Sequence, residues 1–582
     1  AVDAFNAGSS IATPFKVRAT TAAVQRVAAF APVMSTPNDY PGFPPLRFSP
    51  GDRVECNVGT WAPGKVLRLW YQEQGMPEPA PYQIELDDGR FIFAPADVDE
   101  CVRALSTPTP ASPEAEDGFY YLSKLMDEDR DDALDIDASG VVEEIDEAAE
   151  DAAADEGLDA AVIIVGAGAA GIGMAISLTD TFGINSSRVL ILERGDGVGT
   201  SFRKWPKEMR FISPSFNQAG WTNSFDLNSV AHGSSPAFTL HAQHPSGEQY
   251  ADYLEELAEL ARVKDRVKRH TEVINITPGD DLFDVHVRVG GDGGKEETLR
   301  CRKVVWACGE FQFPKETSDT IEGAEHCIHN SRVNSWAGLD GDDFVLIGGY
   351  ESGVDAAVNL AKAGKKCTVL ASSATWNVQD PDPSTELAPY TADRLREVRA
   401  ETFSPRPRLL APLRVERVEK AEGGGYNVIA TWKAKEDLRL MGQRNALSWE
   451  RGDEGNELVL HTAQPPVLCT GFVGSVAAKA SHLFKFSDAT DEAKGCLCNA
   501  PLLTKDDEST IVPGVFLVGP SVSHGALSFC FVYKFRQRFG IVANKIAQDL
   551  GKDTKAAVEE CRRTNMYLDD FTCCEDACGN SC

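Results

Sequence analysis

The stretch Val162-Ile163-Ile164-Val165-Gly166-Ala167-Gly168-Ala169-Ala170-Gly171-Ile172-Gly173 decides how the chain is read. Four apolar residues running into a glycine turn form a buried parallel strand. Gly166, Gly168 and Gly171 then supply a tight turn, close backbone approach to a pyrophosphate, and packing of the next helix on the sheet. That helix opens at Ala169 and Ala170 and aims its first amides at the phosphates. The following strand, Val189-Leu190-Ile191-Leu192, ends in Glu193, about 20 residues on, where an acid meets a ribose hydroxyl. Together these make a dinucleotide cradle. The apolar run from Ala160 to Leu178 is not a membrane helix, because its interior glycines and the placed Glu193 belong to the cradle.

At 582 residues the chain exceeds a single core, and about three or four units are expected. Hydrophobic content of 42% and charged content of 25% fit a soluble globular protein with no integral membrane segment. The net charge is -31, but Glu114 to Asp159 holds 19 acids against Lys124 and Arg130, so that segment alone contributes -17. This balance excludes nucleic acid and anionic membrane as partners through bulk electrostatics. Fifteen cysteines, four of them within the last ten residues, read as thiol chemistry and not as a secreted disulfide scaffold.

Residues 1–45 are rich in Ala, Thr, Ser and Pro with few acids, and resemble either an organellar transit peptide (chloroplast or mitochondrion) or a flexible tail. Residues 46–103 carry short β-patterned runs, with Asp87-Asp88-Gly89 as a hairpin turn. Gly51-Asp52-Arg53-Val54 with Trp61 and Trp70 resembles SH3-like or Tudor-like barrels. In that reading Trp61, Trp70, Tyr71 and Tyr82 either line a groove for a protein or peptide partner or fill the core. Residues 104–158 form an acidic linker that cannot build a core of its own.

After Glu193 the chain reads Arg194-Gly195-Asp196-Gly197-Val198-Gly199-Thr200-Ser201-Phe202-Arg203-Lys204-Trp205-Pro206, a second glycine loop directly behind the ribose acid. With it the chain resembles flavin-containing monooxygenases and the wider class with two dinucleotide-binding domains, over about Leu158 to Ala547. That family places Gly-Gly-x-Trp beside the flavin here, with Phe202 standing for the Trp. The resemblance implies FAD contacts from Arg194, Gly199, Thr200, Ser201 and Phe202. Ala307-Cys308-Gly309 looks like the family's Ala-Thr-Gly return, with Cys308 read as a small buried residue. Val467-Leu468-Cys469-Thr470-Gly471 looks like a second such element, and Val515-Phe516-Leu517-Val518-Gly519-Pro520 like the last FAD strand, so Gly309, Gly471, Gly519 and Pro520 are expected at the cofactor. Pro520 stands where disulfide reductases usually carry a ribityl-binding Asp, which leans towards the monooxygenases.

A second strand, turn and helix opens at Phe344-Val345-Leu346-Ile347 and continues Gly348-Gly349-Tyr350-Glu351-Ser352-Gly353-Val354-Asp355. It is similar to the monooxygenase Gly-x-Gly-x-Ser-Gly-x-Asp signature for NADPH, implying contacts from Gly348, Gly349, Ser352 and Gly353. Tyr350 occupies the middle glycine position and obstructs the pyrophosphate. Either the cofactor sits differently or tight nucleotide binding is lost. The next strand ends in Ala371-Ser372-Ser373, neither acid nor Arg, which leaves NADPH and NADH both open.

The expected fold class is therefore α/β, with two Rossmann-like domains and the NAD(P) domain (338–460) inserted between two parts of the FAD domain (159–337 and 461–555), plus the small barrel and a Cys-rich tail (556–582). Three candidates for catalysis follow. The segment Phe211 to Asn217 is expected to pass the isoalloxazine ring, either with Asn217 or Ser213 as a donor to a flavin oxygen or peroxide or as a loop that roofs the site. His329, in a loose match to a monooxygenase fingerprint, lies in the interdomain linker as a gating or a structural residue. His524 precedes an amphipathic run through Tyr533, Phe535, Phe539 and Val542 whose helix is expected to start there and to stabilise the reduced ring; His524 donates a proton or caps the turn. For Cys573, Cys574, Cys578 and Cys582 three readings stay open: dithiol relay, soft-metal or redox-sensor site, and inert tail. No metal is expected elsewhere. The expected activity is an FAD-dependent NAD(P)H oxidoreductase that transfers hydride to flavin and then activates oxygen on a small-molecule substrate, in a soluble intracellular protein. The alternatives are a thiol reductase using the terminal cysteines and a non-catalytic flavoprotein scaffold.

Overall fold

The computed structural model describes residues 46–57, 61–71, 79–86, 91–94, 96–99, 101–104, 155–216, 225–378, 386–434, 446–487, 500–525 and 527–571. The N-terminal tail, the acidic segment 105–154, the Asp87-Asp88-Gly89 turn, Asn217 and the four terminal cysteines lie outside the described residues. The chain divides into two compact units, residues 1–111 and 112–582.

In the first unit, β1 (Arg53–Asn57), β2 (Trp61–Tyr71), β3 (Ala80–Leu86), β4 (Phe91–Ala94) and β5 (Val102–Ala104) form one antiparallel sheet in the order β4-β3-β2-β1-β5. Alternation along β1 and β3 buries Val54, Cys56, Tyr82, Ile84 and Leu86. Of the two readings of the barrel's aromatics, groove or core, Tyr82 takes the core and Trp61 is covered. Tyr82 is fully buried, its hydroxyl accepting from the Phe48 N–H at 3.1 Å, and it belongs to the core. Trp61 is covered by the Arg103 guanidinium, 3.7 Å from the ring centre, which also donates to Glu55 at 2.9 Å.

The second unit holds two parallel five-stranded sheets. The first combines β6 (Val162–Val165), β7 (Val189–Leu192), β8 (Val267–Lys268), β9 (Lys303–Trp306) and β15 (Val515–Leu517), ordered β15-β9-β6-β7-β8. The second combines β10 (Ile328–His329), β11 (Asp343–Ile347), β12 (Lys366–Leu370), β13 (Arg408–Leu410) and β14 (Val467–Leu468), ordered β10-β14-β11-β12-β13. Helix α1 (Ala169–Ile176) follows β6, and α2 (Glu351–Lys362) follows β11. Each sheet is accompanied by a three-stranded antiparallel meander, Thr271 to Cys301 in one and Leu413 to Thr462 in the other. The second fold is inserted between β9 and β15 of the first. The outgoing strand Phe313–Pro314 pairs antiparallel with the returning strand Phe472–Val473. The expected fold class, two nucleotide folds with one inserted in the other, is borne out.

One local expectation is not. The helix expected near Ser523 starts later, because Gly525 at φ +58° turns the chain into a hairpin pairing Ser523–His524 with Leu527–Ser528. Helix resumes at Val532–Phe535 and, after a tight turn, in α4 (Phe539–Asp549). Helix α3 (Pro389–Arg399) packs against α2.

Candidate active site

Because all strands of the first sheet are parallel, their carboxyl ends share one edge, where a nucleotide lies across them. The three glycines of the β6–α1 turn play separate parts. Gly166 sits at φ +106°, and a Cβ there would meet the Ala307 carbonyl oxygen at 2.8 Å. A Cβ on Gly171 would lie 1.9 Å from the Gly166 oxygen, so this glycine lets α1 seat on the turn. A Cβ on Gly168 would meet nothing within 4 Å. The start of α1 has no side-chain cap, although Ala169 and Ala170 are buried. A buried, uncapped helix start beside open space fits a phosphate ligand.

Glu193 accepts from the Ala167 N–H at 3.0 Å and the Gly195 N–H at 2.7 Å, while the Gly199 N–H donates to the Ala167 oxygen at 2.9 Å. Glu193 and both glycine loops thus meet at Ala167, and the carboxylate keeps lone pairs beyond these two bonds. Thr200 donates to the Gly197 oxygen at 2.7 Å, Ser201 is exposed, and Arg194 donates to Gln312 at 3.0 Å. Phe202 packs in an aromatic cluster, with ring centres 4.8 Å from Tyr250 and 5.3 Å from Trp205, and fixes the loop.

At the ends of β9 and β15, Cys308 donates to the Val165 oxygen at 3.3 Å, and burial pushes its thiol far up, as expected of a packing residue. Gly309 is at φ +67°, and Gly519 lies against Ala170, where an added Cβ would be 3.1 Å away. Pro520 and the hairpin follow. His524 does not face that edge unencumbered. Its Nε2 lies 2.5 Å from an oxygen of Asp507, a fully buried acid that also accepts from Arg538 at 2.9 and 2.8 Å. The Phe571 ring stacks on the imidazole, with centres 5.3 Å apart. The loop preceding Asn217 is held by the Asn228 amide, which donates to the Ser213 carbonyl and the Ser215 hydroxyl, both at 2.9 Å.

The second turn repeats the first with one change. A Cβ on Gly353 would lie 1.9 Å from the Gly348 oxygen, the same separation found between Gly171 and Gly166. Tyr350 caps α2 at φ -100°, ψ -161°, close to the φ -87°, ψ -167° of Gly168. Its side chain therefore stands at the position left open in the first turn. Gly349 backs onto Ala371, Ser352 is half-buried, and Gly471 lies at the end of β14. Asp355 pairs with Arg394 at 2.6 Å, joining α2 to α3. Glu351 accepts from the Ala388 N–H and the Thr391 hydroxyl, both at 2.5 Å, and burial pushes its carboxyl above the usual range.

Residues 163–440 match the pyridine nucleotide-disulphide oxidoreductase family. That match spans most of the first nucleotide fold and most of the second. Among curated proteins it is 26% identical over 220 residues to the uncharacterized oxidoreductase CzcO of Bacillus velezensis, spanning 36% of this chain and 54% of that one. It is 23% identical over 162 residues to the flavin-containing monooxygenase FMO GS-OX4 of Arabidopsis thaliana, spanning 27% and 34%. The alignments thus cover about half and a third of those relatives' lengths. Solved structures of a bacillithiol disulfide reductase from Staphylococcus aureus and an ornithine hydroxylase from Pseudomonas aeruginosa align over 67% of this chain and 99% of theirs, at 18% and 14% identity and TM-scores of 0.48 and 0.46.

Between the two nucleotide folds, His329 is 1% exposed and both ring nitrogens are engaged. Nδ1 accepts from the Ser331 N–H at 3.2 Å, so Nε2 donates to the Gly471 oxygen at 3.0 Å. The imidazole clasps the outgoing linker to the returning one, a positioning role. Burial holds its pKa below the ordinary value, outweighing the Gly471 bond. The folded state therefore favours the neutral ring, and this stability is present above about pH 6.5 and lost as pH falls. The gap in melting temperature between wild type and His329→Gln should accordingly narrow from pH 7.5 to pH 5; a constant gap would contradict it. Two further contacts close the interface. Glu208 accepts from the Ser335 hydroxyl at 2.6 Å and the Trp336 N–H at 3.0 Å, and the His244 ring stacks on Tyr390 at 3.8 Å.

One functional candidate escaped the sequence. Lys433 Nζ donates to the Ser372 oxygen at 3.4 Å, which brings a cation to the carboxyl end of β12. The two residues are 61 positions apart. No local motif signals the pair. Among the described residues Cys56, Cys101, Cys301, Cys308, Cys327, Cys367, Cys469 and Cys561 carry free thiols, no cluster of three or more His, Cys, Asp or Glu residues is disposed to hold a metal, and no helix is long and apolar enough to cross a membrane.

Proposed function

We propose that the chain is an FAD-dependent NAD(P)H oxidoreductase of monooxygenase type acting on a small molecule. The observation that carries this reading is the repeated turn: two glycine turns with the same 1.9 Å helix seating, on two parallel sheets joined by paired linkers. FAD, when bound, accepts a hydride from a nicotinamide and passes electrons on to oxygen or another acceptor. In this reading Gly168 and the start of α1 hold the pyrophosphate, and Glu193 holds the adenosine ribose. His329, Glu208 and the His244–Tyr390 stack fix one fold against the other. Burial pushes the Cys301, Cys327, Cys367 and Cys469 thiols up to about 12, which disfavours thiolate chemistry at these four positions.

The deciding experiment is anaerobic mixing of the flavin-loaded chain with NADPH or NADH, before and after removal of residues 572–582. Bleaching of the flavin in both forms, followed by oxygen-dependent product formation, supports this reading. Turnover that disappears with the tail supports the thiol reductase, and a flavin bleached by neither nucleotide supports the scaffold. Lys433 sets a further expectation. An ammonium at the end of β12 suits a 2′-phosphate, so NADPH should bind more tightly than NADH. Lys433→Ala should erase most of that preference, about tenfold, in a direct binding titration; equal affinities in the wild type would remove Lys433 from this role. Tyr350→Gly should tighten both nucleotides alike. The barrel serves in this reading as a docking module for a protein or peptide, and segment 1–45 as an organellar address. Deleting residues 1–104 should leave NADPH oxidation unchanged.

A further inference from the structure

We infer that Glu310, together with Ser521, binds the polyhydroxylated ribityl chain of the flavin, an assignment that rests on the FAD reading above. The order of the first sheet sets the direction. With the pyrophosphate at the end of β6 and an adenosine ribose at Glu193 on β7, the other half of the dinucleotide extends over β9 and β15. The residues that follow those two strands include Gly309-Glu310 and Pro520-Ser521, and there the Ser521 hydroxyl donates to the Glu310 carboxyl.

Three features suit this pair to a chain of hydroxyls. Glu310 is half-buried, so it is sheltered yet reachable from the edge. Pro520 has no side-chain acceptor, and Glu310 supplies one beside it. Burial raises the carboxyl above the usual range, against the lowering effect of Ser521, and its two oxygens offer more acceptor sites than the one bond from Ser521 uses. Room for the carboxyl is kept by Gly474 on the returning linker, where a Cβ would come within 2.6 Å of its Oε2. Alanine at 474 would displace the acid without altering it.

The test is FAD binding to the deflavinated full-length chain, followed by fluorescence quenching, with the melting temperature of the FAD-free protein measured in parallel. Glu310→Ala and Gly474→Ala should each weaken FAD at least tenfold, whereas Glu310→Gln, which keeps a donor and an acceptor, should stay within threefold of wild type. FAD-free melting of Glu310→Ala should be unchanged, because a merely structural clasp would lower it. An FAD analogue with an alkyl chain in place of ribityl should bind wild type as weakly as Glu310→Ala and show no further loss in the variant. FAD affinity of Glu310→Ala within twofold of wild type overturns the assignment alone. Failure of the wild type to bind FAD overturns the underlying reading with it.

Discussion

Alanine at Gly171 should destabilise the FAD-free protein by about 3 kcal/mol or more, the upper end of what forced overpacking costs. Its Cβ would sit 1.9 Å from a backbone oxygen, not from a side chain that can swing aside. Neither partner can yield easily, since every residue of β6 and α1 is buried. Alanine at Gly168, three residues earlier, should behave in the opposite way. Its extended backbone suits any residue and its Cβ would meet nothing within 4 Å, so FAD-free stability should stay within about 0.5 kcal/mol of wild type. The new methyl would fill the space where the pyrophosphate approaches, and FAD should weaken by about 10- to 100-fold, the equivalent of about 1–3 kcal/mol of overpacking. Chemical denaturation of the FAD-free variants and FAD titration of Gly168→Ala separate the two effects. Wild-type FAD affinity in Gly168→Ala would place the nucleotide elsewhere.

This contrast also marks what the sequence could disclose. The seating of Gly171 on Gly166 is a contact five residues apart, and Glu193 ends the very next strand, 26 positions from Ala167, so glycine spacing and acid both fall within one strand–turn–helix–strand unit and were legible for that reason. The obstruction at Tyr350 was legible too, since it is a departure at a fixed position in a local motif. The candidate acid–base residues were not. His329 reads equally as a gating or a structural residue until its partner Gly471, 142 positions away, is seen to occupy Nε2. His524 looks like a flavin-side donor until Asp507 and Phe571 are brought against it. Lys433 and Glu310 lie outside recognisable patterns because their neighbours come from other elements. Local motifs encode backbone shape, whereas the protonation and access of a side chain depend on what long-range folding packs around it.

The cluster around His524 leads to the second large effect. Asp507 is fully buried, sits at φ +58°, and receives two guanidinium bonds from Arg538, itself 1% exposed. Asp507→Ala would leave that guanidinium buried beside no carboxylate, and loss of one member of such a pair costs about 3–5 kcal/mol. The loss should spread to the end of the described chain, because Arg538 also donates to the Leu568 carbonyl and lies under the Phe571 ring. Residues 564–571 should then gain hydrogen exchange out of proportion to the rest of the domain. Asp507→Asn keeps a residue that tolerates the left-handed backbone and an acceptor for Arg538, so it should cost only about 1–2 kcal/mol. Adding Arg538→Met to Asp507→Ala should recover part of the loss by removing the stranded charge, but not all, since the bonds to Leu568 and Lys505 go with it. Denaturation midpoints of the three variants, with exchange at 564–571, check the scheme. If Asp507→Ala proved no less stable than Asp507→Asn, the pair would not be what anchors the C-terminal segment over His524.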